Sequence, residues 1–269
     1  MKRTNKPEIL TRFHAIQPDK KAKSLQTLPN KLPLPIKEQN EIAESINLSL
    51  QFWHLMFDPE QLKESLTVFI QLSLDQRNQN SELKKYLKEL RKAGLVVKSV
   101  LDLYTTNGSP IIFSEFVKNL GKLNDSYTIK NGTKFAQKTL QLLSDHLPIS
   151  FSTTPVNSRL YKERLLEIKL ATEKSLQSPF ILVPDYHDLR KNLRHIKNIY
   201  QLAVVRNPHN SALLQTYHFL SILNTELGKV HDEFAKQKIT DKDTYSTTQM
   251  TIPTQLFQKM KIFYAKMVF

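Results

Sequence analysis

Apolar residues recur every three or four positions along most of the chain, which is the spacing of one face of an α-helix. Ile42 and Ile46 begin this pattern, and Asp58-Pro59-Glu60 marks a further helix start, because aspartate caps a first turn and proline fits into it. The pattern predicts helices over residues 37–55, 59–76, 80–105, 112–122, 127–146, 156–177, 184–206, 209–228, 229–240 and 251–267. An all-α fold follows from this pattern.

Prolines and turn residues divide the helical pattern into segments. Five prolines lie between residues 7 and 35, and because proline at this density prevents long helices, residues 1–36 are expected to form a flexible basic arm with a short helix near Glu8–Ala15. His146–Pro155 is the candidate linker, and Ser178–Pro184 is expected to be a loop. The predicted organisation is therefore this arm, a first helical repeat over 37–148 and a second over 149–269.

Two segments about 107 residues apart carry the same two-part signature. The first part is a basic helix, Ser81–Arg91, which aligns with His187–Lys197. The second part is the short motif Leu120-Gly-Lys-Leu-Asn-Asp125, which aligns with Leu227-Gly-Lys-Val-His-Asp232. Because both parts recur in the same order at nearly the same spacing, one supersecondary unit is expected to be used twice, as two four-helix units in tandem.

Each basic helix is predicted to have one cationic and one apolar face. At 100° per residue, the first, fourth, eighth and eleventh positions of the repeated segment share one face about 80° wide. The apolar residues lie on the opposite side, so one face is expected to enter a core while the other presents cations. The four positions are occupied by Ser81, Lys84, Lys88 and Arg91 in the first copy and by His187, Arg190, Arg194 and Lys197 in the second.

The charge balance favours an anionic partner. The chain has 39 Lys and Arg against 25 Asp and Glu, a formal net charge of +14, and such an excess strengthens attraction to polyanions. Ten helical residues rise about 15 Å, which suits several successive phosphates better than one small anion. Charge alone leaves nucleic acid, anionic membrane, acidic protein and polyphosphate open.

Several other classes of chemistry find no support in the sequence. The absence of cysteine excludes disulfides, thiolate metal sites and cysteine nucleophiles. The chain contains no glycine-rich phosphate loop, and the pairs His187-Asp188 and His231-Asp232 lack further ligands in register for a metal phosphohydrolase. We predict no catalytic residue, metal or cofactor. Because neither a signal peptide nor a membrane-spanning run is evident, the protein is expected to be cytoplasmic.

The motif His187-x-x-Arg190-x-x-x-Arg194-x-x-Lys197, followed by Leu227–Asp232, resembles the conserved histidine α-helical domain (CHAD) family. The resemblance covers about residues 60–240 and includes the duplication. It implies two four-helix bundles related by a pseudo-two-fold axis, with a basic groove. It also implies a non-catalytic module that binds inorganic polyphosphate and associates with polyphosphate granules.

The resemblance also assigns ligand-binding residues, with some departures from the family pattern. Ser81 stands where the family has histidine, and lysine often replaces arginine, which loses bidentate contacts to phosphate. The second copy is therefore expected to contribute most of the binding. The polyphosphate-binding residues implied are His187, Arg190, Lys191, Arg194, Lys197, Lys84, Lys85, Lys88, Arg91, Lys98, Lys122 and Lys229.

Nucleic-acid binding, RNA in particular, and a role as a helical scaffold or interaction protein are the alternatives. Base stacking requires exposed aromatic rings among the cations. Tyr86 and Tyr200 lie within the two basic helices, but Tyr200 falls on the apolar side of its helix. This placement argues against stacking at that position.

Overall fold

The computed structural model describes residues 6–16, 28–127, 131–146, 149–151, 153–240 and 246–268, with the backbone alone for 6–7, 14 and 232–240. The structure is mostly helical, at 77%, which confirms the all-α class. No described helix combines the length and apolarity needed to cross a lipid bilayer. The elements are α1 Lys6–Ala15, α2 Gln39–Met56, α3 Pro59–Gln71, α4 Leu74–Gln79, α5 Ser81–Tyr104, α6 Ile111–Asp125, α7 Asn131–His146, α8 Ser158–Ser175, β1 Phe180–Leu182, α9 Val183–Arg206, α10 Ser211–Thr240, β2 Gln249–Thr251 and α11 Thr254–Lys266.

The predicted helix over 59–76 is wrong, because the chain forms two helices there. The side chain of Ser73 accepts from the Gln76 N–H at 3.3 Å, and the Gln76 side chain accepts from the Ser73 N–H at 2.9 Å. This reciprocal capping box satisfies two backbone donors at the start of a helix and so begins α4 after α3 has ended.

Two further expectations about secondary structure are wrong. The expected break near residue 228 is absent, because α10 continues through Gly228 to Thr240. The expected loop Ser178–Pro184 contains β1, which pairs antiparallel with β2 and sets Ile181 opposite Met250. Both of these side chains are buried, so a local apolar contact stabilises the short ladder. The last helix accordingly begins at Thr254 rather than at 251.

The first of two compact units comprises the chain up to Leu10 together with Ile42–Val156. Within it, α5 packs on α6, and α7 packs on both α6 and α3. The Trp53 side chain is 2% exposed and meets the rings of Phe113 and Phe116 edge to face, at centroid distances of 5.2 Å and 6.0 Å. Trp53 therefore belongs to the core of the first unit.

One cation of the first unit is buried inside it. Arg77 donates from Nε to the Phe69 carbonyl at 3.0 Å and from Nη2 to the Thr133 hydroxyl at 2.7 Å. Its guanidinium lies 4.1 Å from the centroid of the Phe69 ring, and burial lowers its pKa despite the opposing effect of Tyr127. Arg77 therefore ties α4 to α3 and α7 rather than facing a ligand.

The second unit comprises Thr11–Glu41 and Asn157–Phe269. Helices α9 and α10 form an antiparallel hairpin, and α8 packs on both α9 and α11. The apolar face predicted for the second basic helix is buried at every position, which confirms the predicted orientation. The residues of this face are Leu189, Leu193, Ile196 and Ile199.

Residues 28–38, which we name the N-terminal strap, lie on the second unit. Carbonyl groups of Pro29, Pro33 and Pro35 accept hydrogen bonds from the side chains of Lys266, Tyr200 and Arg206, at 3.1, 2.9 and 2.9 Å. Proline keeps its carbonyl acceptor but has no N–H, so side-chain donors suit such a segment. These contacts fix this part of the expected arm against α9 and α11.

Candidate anion-binding surfaces

Helix α5 carries the cations of the first unit. The side chain of Asn80 accepts from the Leu83 N–H at 3.0 Å, which caps the helix and fixes its first turn. Leu87 and Leu90 are fully buried, so the predicted apolar face is confirmed. The opposite side forms the α5 cationic surface, which we define by the exposed residues Lys84, Lys85 and Lys88 and the half-buried Arg91.

Side chains of neighbouring helices hold parts of the α5 cationic surface. Arg91 Nη1 lies 3.3 Å from Asp125 Oδ1 at the end of α6. Lys84 Nζ stands 5.6 Å from the centroid of the Tyr127 ring. Lys122, the lysine of the first Leu-Gly-Lys motif, is exposed, and its Nζ lies 5.2 Å from the Phe135 ring of α7. These contacts reduce the freedom of long side chains while leaving their charges near solvent.

Helix α9 carries the cations of the second unit. Arg190, Arg194 and Lys197 share one face and are half-buried, which we define as the α9 cationic surface. Lys191 is exposed and lies 2.8 Å from Asp188 Oδ1. Partly buried arginines are better preorganised than exposed lysines for bidentate contacts to an oxyanion, because the planar guanidinium holds its N–H donors in a fixed fork.

His187 is held by a second histidine. Its Nδ1 lies 2.9 Å from Nε2 of His231, and the ring centroids are 4.9 Å apart. One of these nitrogens must donate and the other accept, so the two cannot both carry a proton on the shared side. Nearby, the buried Tyr186 hydroxyl donates to the Leu227 carbonyl at 2.9 Å. The sequence identified both motifs but gave no signal that these two histidines meet.

Each unit contains one arginine that lies against a glycine, and matching these two contacts gives a different register from the sequence alignment. In the first unit, the guanidinium of Arg91 lies against Gly121, and in the second unit the guanidinium of Arg190 lies against Gly228. The alignment instead pairs Arg91 with Lys197. When the two contacts are matched, Arg91 aligns with Arg190, and Lys88 rather than Ser81 aligns with His187. Lys88-Glu-Leu-Arg-Lys92 then matches His187-Asp-Leu-Arg-Lys191.

The new register is supported by matching ion pairs. Lys92 Nζ lies 2.7 Å from Glu89 Oε1, and Lys191 Nζ lies 2.8 Å from Asp188 Oδ1, three residues earlier in each case. Exposed pairs of this kind contribute only roughly 0.2–1 kcal/mol. They do, however, place an acidic group beside a cation in both helices, so neither face is purely cationic.

Lys229 and Lys98, two of the predicted ligand-binding residues, have acidic partners that no motif in the sequence indicates. Lys229 Nζ lies 2.7 Å from Glu226 Oε1. Lys98 lies 2.7 Å from Asp102 Oδ2 and also donates to the hydroxyls of Ser109 and Ser114, at 3.0 and 3.1 Å. All three ammonium protons of Lys98 are thus used within the first unit, at the connection between α5 and α6.

The carboxylate of Asp102 depends on this cluster. Burial alone would raise its pKa, but the hydrogen bonds and charge of Lys98 and the hydrogen bonds from Ser109 together lower the pKa below the ordinary value of 3.8. A lowered pKa in the folded state stabilises the fold above the unfolded value, and this contribution is lost as the pH falls toward the folded value.

Replacing Asp102 by asparagine is expected to lower the free energy of unfolding by roughly 1–2 kcal/mol at pH 7, because the charge-assisted hydrogen bonds weaken. The difference between the variant and the parent protein should shrink as the pH falls below about 3.8. Urea unfolding of both proteins at pH 7, 5 and 3.5 measures this difference in the free energy of unfolding. A difference that is constant across this range would contradict the role assigned to the carboxylate.

The two tyrosines considered for base stacking are buried or half-buried. Tyr200 is 1% exposed, and Tyr86 is half-buried, with its pKa raised to about 12 by burial and by the charge of Asp58. Phe180 is different, because its side chain is 65% exposed on β1, directly before α9. No pattern in the sequence singles out this residue.

The part of the chain that the structure describes contains no group of three or more His, Cys, Asp or Glu side chains that could hold a metal ion. The side chain of Asp232, from the pair His231-Asp232, lies outside the described residues. No protein-family model matches the chain, and no curated protein or solved structure matches it significantly.

Proposed function

We propose that this chain is a non-catalytic module that binds inorganic polyphosphate through the cations of α5 and α9. The observation that carries the proposal is the half-buried row of Arg190, Arg194 and Lys197 on a helix whose opposite face is core. Preorganised guanidinium groups bind phosphate oxygens through charge-assisted hydrogen bonds, which are about twice as strong as neutral ones.

The resemblance to the CHAD family motivates the finer part of the proposal. We propose that the chain is built from two four-helix repeats related by a pseudo-two-fold axis, with a basic groove, and that it acts in the cytoplasm at polyphosphate granules. The contacts of Arg91 with Gly121 and of Arg190 with Gly228 support a repeated unit. The ion pairs of Lys92 with Glu89 and of Lys191 with Asp188 also support it, because each lysine directly follows the arginine that contacts a glycine.

The proposed ligand-binding residues are weighted by their surroundings. Arg190, Arg194 and Lys197 form the core of the proposed site, since they are partly ordered by burial. Lys98 is left out, because its three protons are used by Asp102, Ser109 and Ser114. The remaining nominated residues, which widen the two surfaces, are His187, Lys191, Lys229, Lys84, Lys85, Lys88, Arg91 and Lys122.

RNA binding is the second candidate, and Phe180 is the observation that favours it. An exposed ring beside a cationic helix can stack on a base, whereas polyphosphate has no group that stacks. If RNA is the ligand, replacing Phe180 by alanine should weaken binding by about 5- to 100-fold, as for the loss of one stacked base.

The proposal is tested by titrating the protein with long-chain polyphosphate and with single-stranded RNA of equal total charge, each at 50 and 200 mM salt. We expect tighter binding of polyphosphate, a strong loss of affinity at the higher salt, and no effect of Phe180→Ala. Equal or tighter binding of RNA, with a clear loss on Phe180→Ala, would replace polyphosphate by RNA. If neither polymer binds, both proposed ligands are rejected, and a role as a helical scaffold or interaction protein is the alternative that remains.

A further inference from the structure

Two of the five glycines of the chain stand against arginine side chains. A Cβ atom built on Gly121 would lie 3.1, 3.2 and 3.3 Å from Nη2, Nε and Cζ of Arg91. A Cβ atom built on Gly228 would lie 2.7 Å from Nη2 and 3.3 Å from Cζ of Arg190. In both places the guanidinium group therefore rests closely on the backbone of the facing helix, α6 or α10.

Two other helical glycines have a different environment. A Cβ on Gly94 would lie 2.8 Å from Cγ2 of the buried Val117, and a Cβ on Gly132 would lie 2.6 Å from the Ser126 carbonyl oxygen. Those neighbours are packed core or backbone, so substitution there strains the fold. At Gly121 and Gly228 the obstacle is the far end of a long side chain, which can move away.

Glycine within a helix is unfavourable by roughly 0.5–1 kcal/mol relative to alanine, because it loses more conformational freedom on folding. Gly228 lies in the middle of α10 and Gly121 near the end of α6, and neither has the positive φ that would require glycine. Their close approach to a guanidinium is the feature that these two positions share.

We infer that Gly121 and Gly228 are positioning residues for anion binding: they leave room for Arg91 and Arg190 to lie on the facing helix backbone with the guanidinium plane fixed. This inference rests on the proposed function. A guanidinium donates two parallel hydrogen bonds to one phosphate only when its plane is held in the right orientation. Displacement of the plane therefore weakens binding even though the charge remains.

The test is Gly228→Ala in the full chain, with Thr225→Ala on the same helix as the matched control, since Thr225 is exposed and one turn away. We expect Gly228→Ala to keep or raise the midpoint of thermal unfolding, because alanine favours a helix. Its affinity for polyphosphate should fall by about three- to tenfold. The slope of log affinity against log salt should change little, because the charge of Arg190 remains. Thr225→Ala should leave affinity and slope unchanged.

A double substitution separates positioning from general damage. In an Arg190→Lys background there is no guanidinium to displace, so adding Gly228→Ala should cause less than about a twofold further loss of affinity. Unchanged affinity in Gly228→Ala, or a marked fall in its unfolding midpoint, would overturn the inference. Failure of the parent protein to bind polyphosphate would overturn the proposed function instead, and the thermal comparison would still test the fit of alanine beside Arg190.

Discussion

Replacing Arg190 and Arg194 together by glutamate is expected to lower the affinity for polyphosphate by at least about 100-fold. In the proposed complex, each half-buried arginine supplies charge-assisted hydrogen bonds, which contribute about 1.5–3 kcal/mol apiece, and a tenfold change in affinity corresponds to about 1.4 kcal/mol. Glutamate removes these contacts and adds repulsion toward phosphate. Fluorescence anisotropy with labelled polyphosphate at 100 mM salt measures the loss, and circular dichroism checks that the helices remain.

Two variants with the same change in net charge serve as controls. Lys162→Glu with Lys174→Glu changes exposed residues of α8, in the same unit. This variant should reduce affinity less than about threefold, because salt screens the long-range effect of exposed charges. Lys84→Glu with Lys88→Glu should have an intermediate effect, because these lysines are exposed and less ordered. If the α8 variant weakened binding as much as the arginine variant, net charge rather than the α9 surface would govern binding.

Replacing Arg206 by methionine is expected to reduce the free energy of unfolding by about 3–5 kcal/mol. Arg206 Nη2 lies 2.8 Å from Glu41 Oε1, and these side chains are only 8% and 18% exposed. Arg206 also donates to the carbonyls of Glu41 and Pro35, at 3.0 and 2.9 Å. The variant leaves a carboxylate and two carbonyl oxygens without this donor in a mostly buried place, and urea unfolding at pH 7 measures the loss.

A pair of comparisons makes this expectation specific. Lys191→Met breaks an exposed pair with Asp188 and should lower stability by less than about 1 kcal/mol. Adding Glu41→Gln to Arg206→Met removes the carboxylate charge that has lost its arginine partner, so the double variant should be more stable than Arg206→Met alone. Hydrogen exchange should rise first in residues 28–38. Protection of the N-terminal strap that is unchanged in Arg206→Met would show that Arg206 does not hold it.

The sequence predicted the orientation of the basic helices well. Leu87 on α5 and Leu193 on α9 are fully buried as expected, because helical spacing alone decides which residues share a face. The helix starting at Pro59 was equally clear from its cap, since Asp58 accepts from the N–H groups of Glu60 and Gln61. The capping box at Ser73 was present in the sequence as a serine three residues before a glutamine, and it could have indicated the start of α4.

The partners of the cations were not predictable in the same way. Lys98 meets Ser109 and Ser114 across the connection that follows α5, and no periodicity in the sequence specifies that approach. His187 meets His231, 44 residues later, only because α9 and α10 pair at one particular register. A shift of that hairpin by one turn would displace one ring relative to the other by about 5.4 Å along the helix axis, which would break the contact between the two nitrogens.

The sequence by itself therefore determined that the chain is helical, which faces of its helices are apolar, and that two basic helices carry rows of cations. These properties depend on neighbours within a turn or two of the same helix. Only the tertiary structure decided which arginine rests on which glycine and which lysines are already paired with acids. The pairing of helices sets these contacts, and pairing depends on hairpin length and side-chain packing summed over the whole interface, which no local pattern encodes.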